Sequence, residues 1–208
     1  TDALFAELGD GARERLRGWV TERQGESVVI TFVAAGSEAT TSLYRAVYRA
    51  EDLQERGETS EPLSAAQLRL YRAREAAIRV PVEFCSQAYN SVTLPREGSG
   101  IVDLYLMPGT TDPGEVLVGG YHRIAVDEAS VVVETQAFSR SCLTLRKDDP
   151  AMRNAEEVFL WFSHIVTTTP TETHVFINLS QALPLYVSTQ SGLWALRDGR
   201  VSFEHAQP

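Results

Sequence analysis

Lysine is nearly absent from these 208 residues: Lys147 is the only one, and the other basic residues are all arginine. Such a bias reads as codon composition in a GC-rich bacterial genome rather than as a binding device. Cysteine is almost as scarce. Cys85 and Cys142 stand 57 positions apart, with no His or Cys at the short spacings of a zinc knuckle, so metal ligation by the pair is not expected. A disulfide-dense miniprotein is excluded as well. The longest strongly apolar runs, residues 28–35 and 158–162, fall far short of the roughly 20 residues that span a bilayer, so no transmembrane segment is expected. Positive charge is also in deficit. The 28 acidic and 19 basic residues give a net charge of −9 and a pI near 5.0, which repels phosphate backbones and argues against nucleic acid as a partner.

Cofactor and catalytic signatures are missing too. No Walker loop, Gly-x-Gly-x-x-Gly, His-Glu-x-x-His, EF-hand loop or Gly-x-Ser-x-Gly elbow occurs, so the sequence calls for no cofactor. What is present is ordinary globular composition, 43% hydrophobic and 23% charged, in a chain of single-domain length. The expectation is one α+β domain over residues 1–208, helix-rich in 1–80 and strand-rich in 81–208. Its helices would pack on one face of a large, mainly antiparallel sheet.

Leu4, Leu8, Leu16, Trp19 and Val20 recur at helical spacing and predict a short helix followed by a longer one ending near Arg23. Residues 28–34 and 41–49 form a β-hairpin pattern around Gly36, and the charged stretch 51–61 reads as a loop. Ser64 and Gln67 have capping-box spacing, with Leu63 and Leu68 at the staple positions. They predict a helix to about Arg79, with Leu68, Tyr71, Glu75 and Ile78 along one side and Pro81 forbidding its continuation.

Beyond Pro81 the pattern turns to strands: 82–94, 101–107, 116–126 with a bulge at Gly119-Gly120, 130–138 and 142–145. After a helical turn near 151–156, the almost wholly apolar stretch 158–166 suits a central strand buried on both faces. Segments 173–179, 185–189, 193–196 and 201–203 complete a meander that turns at Asp198-Gly199.

The most chemical arrangement depends on register. A three-residue turn at 127–129 would set His122 opposite Glu134, with Asp103 on a neighbouring strand. In a cleft these three could serve as acid and base of a hydrolase; on an open sheet face they would be a cross-strand ion pair. His164 and His174 alternate with residues of two strands in a way that points their rings to opposite faces, which disfavours a shared metal. The late aromatics Tyr186 and Trp194 either pack the core or form a contact patch. Ser139, Ser141 and Cys142 lack the frame a nucleophile needs.

Three stretches, Ala137-Phe138-Ser139-Arg140-Ser141-Cys142-Leu143, Thr169-Pro170-Thr171-Glu172-Thr173-His174-Val175-Phe176 and Pro184-Leu185-Tyr186-Val187, resemble segments of uncharacterised exported proteins of Gram-negative bacteria. The resemblance transfers no catalytic residue. It implies a periplasmic or otherwise exported protein and makes a removed leader before Thr1 understandable; the alternative is a cytoplasmic chain. In an oxidising compartment Cys85 and Cys142 would form one disulfide, and in the cytosol they would be two small buried hydrophobes. Acidic charge, scattered histidines and a sheet-rich second half lead to the expectation of a non-enzymatic module that binds another protein, in the manner of an inhibitor or immunity protein.

Overall fold

A computed structural model describes residues 8–35, 40–50, 52–110, 112–147 and 158–206. The helical turn expected near 151–156 lies outside them. The chain divides into two compact units, each built from separated stretches. Unit 1 comprises Thr1–Pro81, Ser91–Tyr105 and Ile124–Thr135, and unit 2 comprises Val82–Asn90, Leu106–Arg123 and Gln136–Pro208. Among the described residues strand is the dominant element, mostly antiparallel, but it is spread over four sheets rather than gathered into the one large sheet expected from sequence. No helix among the described residues is long and apolar enough to cross a membrane.

Unit 1 opens with a short helix α1 (Asp10–Arg15) and then a meander of β1 (Leu16–Gln24), β2 (Ser27–Ala35), β3 (Thr40–Arg49) and β4 (Asp52–Glu58), paired in that order. The expected hairpin is thus β2–β3, with Val29 opposite Val47. Two expectations change. The helix predicted to Arg23 ends at Arg15, and β1 takes its place because Trp19, Val20 and Thr21 pair with Phe32, Thr31 and Ile30. β-Branched and aromatic residues favour that half-buried pleated surface over a helix. The stretch 51–61, expected as a loop, contains β4 instead. Its charge suits an edge strand, where acidic and basic side chains discourage pairing with another chain.

The core of this meander is Phe32, Ala34, Leu43, Tyr44 and Ala46 together with Leu8. Helix α2 (Ala65–Ala77) packs on β1. Its capping box forms as the sequence predicts: the Gln67 backbone N–H donates to Ser64 Oγ at 3.1 Å, and the Ser64 N–H donates to Gln67 Oε1 at 3.0 Å. Ser64→Ala should therefore destabilise the protein by about 1 kcal/mol, read as a lower urea midpoint. An unchanged midpoint would show that the cap contributes nothing here.

The buried face of α2 is Leu70, Ala73 and Ala77 rather than the expected Leu68, Tyr71 and Ile78; Ile78 is exposed. Small side chains at 73 and 77 permit close approach to β1, a criterion that hydrophobic size alone misses. Arg74 lies beside this contact, its guanidinium 5.1 Å from the Trp19 ring and 3.0 Å from Glu75 Oε1. Gly18, at φ 152°, takes a backbone conformation that other residues rarely adopt, and it lies against the Arg74 guanidinium.

Strands β5 (Ala88–Arg96), β6 (Ile101–Gly109), β8 (His122–Val126) and β9 (Val132–Ala137) form a second sheet in the order β5-β6-β8-β9, and the division between units falls within β5, β6 and β8. The strand expected over 116–126 is broken at the glycine pair into β7 (Glu115–Leu117) and β8, and β7 pairs with β10 (Thr144–Arg146).

Unit 2 ends in β11 (Leu160–Ser163), α3 (Glu172–Gln181), β12 (Leu185–Thr189), β13 (Gly192–Arg197) and β14 (Arg200–His205), the strands lying in the order β11-β12-β13-β14. The two hairpins and the turn at Asp198 (φ 50°) and Gly199 (φ 74°) match the sequence pattern. Two assignments are corrected. The expected central strand over 158–166 is a four-residue edge strand, with Leu160 buried but Trp161 64% exposed. The expected strand over 173–179 is helix α3, the crossover that joins parallel β11 and β12. Thr173, His174, Ile177 and Asn178 form its buried face at spacings of one and four residues. Polar residues occupy most of that face, so hydrophobicity did not register it. Asn178 docks α3 on the sheet: its Nδ2 donates to Leu183 O at 2.7 Å and Leu196 O at 3.2 Å, and its Oδ1 accepts from the Gly199 N–H at 2.8 Å.

Candidate functional site

The three residues singled out as an acid–base group divide between two settings. On β6, Asp103 is 8% exposed and receives a two-pronged bond from Arg96, at 2.7 and 3.1 Å. Glu134 Oε2 lies 3.8 Å from the same guanidinium. Asp103 and Glu134 thus meet at Arg96, an arrangement in which a shared cation offsets the repulsion of two carboxylates. His122 is 5% exposed, and its Nε2 sits 2.9 Å from the Glu83 carbonyl oxygen, a distance at which the ring N–H donates.

The turn between β8 and β9 explains the different partners. It has three residues as expected, but they are Glu128, Ala129 and Ser130. The Asp127 N–H donates to Val131 O at 2.9 Å, the Ser130 N–H donates to Asp127 O at 3.0 Å, and Ser130 takes φ 62°. Sliding the turn by one residue, with the Phe138 N–H donating to Tyr121 O at 3.0 Å at the other end of the pair, takes Glu134 out of register with His122.

Cys85 and Cys142 are joined by a disulfide, their Cα atoms 5.2 Å apart. It anchors the segment that leads into β10 beside the one that leads into β5. Gly120, at φ 88°, fits tightly there: a Cβ would fall 2.6 Å from the Cys85 Cβ and 2.7 Å from the Tyr89 hydroxyl. The Tyr89 hydroxyl accepts from the Cys85 N–H at 2.9 Å and donates to Gly120 O at 3.1 Å, while Ser139 Oγ accepts from the Gly120 N–H at 2.9 Å. The break at Gly119-Gly120 is therefore a close approach of backbone to this linkage, not a bulge in a continuous strand.

Across the same segment lies a cavity of about 250 Å³, lined by Phe138, Ser139, Arg140, Phe162, His164 and His174 among others. The sequence pattern set the two histidines on opposite faces; the structure packs them edge to face, ring centroids 4.5 Å apart. The cause is the helical state of residues 172–181, which turns His174 toward β11, where its ring stacks on Phe162 at 5.4 Å. His174 Nδ1 accepts the Thr171 N–H at 2.8 Å, completing the first turn of α3. His164 Nε2 receives the Thr167 N–H at 3.2 Å. Burial lowers the pKa of both rings, and for His174 burial and the neighbouring His164 bring it down to about 3. Both are neutral at pH 7. The spacing Thr171-x-x-His174 was the available signal, a capping-box position with imidazole in place of the usual Glu or Gln.

A second feature of unit 2 is the sheet face turned away from α3. Trp161 pairs with Tyr186 across β11 and β12, and the Phe159 and Tyr186 rings meet edge to face at 5.3 Å. The Arg197 guanidinium lies 5.3 Å from the Tyr186 ring. Phe159 is 45% exposed and Trp161 64%, whereas Leu160, Leu185, Val187 and Leu196 are buried.

Among the described residues no group of three or more His, Cys, Asp or Glu is placed to hold a metal ion. No protein-family model, curated protein or solved structure matches this chain.

Proposed function

We propose that this protein is a non-enzymatic recognition module that binds another protein through the outer face of the β11–β14 sheet, in the manner of an inhibitor or immunity protein. The exposure of Trp161 carries the proposal. An indole two-thirds open to water on an edge strand, beside Phe159, Tyr186 and Arg197, is costly as bare surface. Trp, Tyr and Arg are also the residues that dominate binding energy where proteins meet. The Cys85–Cys142 disulfide supports an exported setting, since such bonds persist in oxidising compartments.

The test uses the purified protein as bait in its native extract, beside a Trp161→Glu form. A stoichiometric partner should be retained by the first and bound about thirtyfold more weakly by the second, with the melting curve unchanged. A partner held equally by both forms, or none under several conditions, would overturn this reading.

A further inference from the structure

The cavity in unit 2 is lined by polar hydrogen-bond donors and by apolar side chains. His174 is 3% exposed, and its Nδ1 lone pair is taken by the Thr171 N–H, which leaves the ring proton on Nε2. His164 is 5% exposed, and its Nε2 is engaged by Thr167, whose Oγ1 lies 2.8 Å away and whose backbone N–H lies 3.2 Å away. Among the described residues the His174 Nε2–H has no hydrogen-bond partner, and both rings line the cavity. An imidazole N–H on a ring that lines a cavity is free to donate to an acceptor that enters it.

Charge and shape narrow that acceptor. Arg140 lines the cavity and is paired with no carboxylate among the described residues. Ser139 Oγ already accepts the Gly120 N–H, so its own proton remains to donate. The first turn of α3, with Thr173 and His174 in the lining, adds the positive end of a helix dipole. Among the described residues that line it none is acidic. One neutral imidazole donor, one guanidinium and one hydroxyl match a single negative charge shared by two oxygens. Phe138, Leu143, Phe162 and Ile165 supply the apolar wall. The volume, about 250 Å³, lies below the range for drug-sized ligands.

From this geometry we infer that the cavity binds a carboxylate attached to a small apolar body, either a free acid or the C-terminal residue of a peptide, with His174 Nε2, the Ser139 hydroxyl and Arg140 holding the carboxylate. The inference does not depend on the recognition face around Trp161, and its test leaves that residue untouched.

The probes are 3-phenylpropanoate, its neutral amide, inorganic phosphate, and a hydrophobic tetrapeptide with free or amidated C-terminus. Binding is followed by calorimetry and by the imidazole ¹⁵N signals of the intact protein. At least one free carboxylate probe should bind saturably and shift the His174 Nε2 signal. Its amide should bind about tenfold more weakly, as should the acid to Arg140→Ala, whose altered side chain is exposed and leaves the fold intact. Binding of the free acid alone assigns a small metabolite, and binding of the free-ended tetrapeptide alone assigns a chain terminus. Equal binding of acid and amide, preference for phosphate, an unshifted His174 signal, or no saturable binding would each overturn the inference.

Discussion

Reduction of the Cys85–Cys142 bond should lower the melting temperature by on the order of 10 °C. The bond closes a loop between residues 57 apart, and loop-closure entropy in the unfolded chain is worth about 4 kcal/mol at that length. Against a typical total stability of about 5–15 kcal/mol, even about 3 kcal/mol is a large fraction. The local setting adds to the effect, because the Tyr89 hydroxyl and Gly120 are packed against Cys85. Melting followed by circular dichroism, with and without reductant, reads the shift; Cys85→Ala/Cys142→Ala should melt low in both. Denatured, unreduced protein should titrate no free thiol. Two reactive thiols, or a melt indifferent to reductant, would refute the stabilising bond and remove the main support for an exported setting.

Acid should destabilise the fold through His174, and the sign follows from burial. The folded pKa is about 3, below the ordinary value of 6.5, so between these limits the unfolded chain takes up a proton that the folded chain refuses. Stability is therefore fully present above about pH 6.5 and is lost as pH falls toward 3. By pH 4 the loss from this residue alone is about 3 kcal/mol. His164, also lowered by burial, acts in the same direction. His174→Gln keeps an acceptor at the capping-box position but cannot titrate, so its stability should fall less steeply over the same range in urea titrations at pH 7, 5.5 and 4. Parallel slopes for the two proteins would show that His174 does not govern the acid response.

The histidine pair also illustrates what was hard to read in the chain. Val175, Phe176 and Ile177 have strand propensity, and His174, Phe176 and Asn178 alternate, so a period of two seemed to fit. The true period is carried by Thr173 with Ile177 and His174 with Asn178, where three of four members are polar and hydrophobicity counts little. Trp161 failed for the opposite reason. An apolar run scores alike whether its second face meets a core or water, so residues 158–166 could not reveal an edge strand with an open aromatic face. His122 and Glu134 were separated by a one-residue slide of a turn whose length was correct.

Local chemistry alone determined the features whose partners lie a few residues away: the Ser64 and Gln67 cap, the Asp198-Gly199 turn, the hairpins of β2–β3 and β12–β14, and the strand-rich second half. The shortness of the apolar runs argued against spanning helices in the same direct way. The tertiary structure decided which distant groups meet: Cys85 with Cys142, Asp103 and Glu134 at Arg96, and His164 with His174 over the cavity. These depend on sheet order, on register and on whether a β-prone segment is needed as a crossover helix. Such choices are set by the burial of the surrounding chain, and propensity within any one segment is too weak to make them.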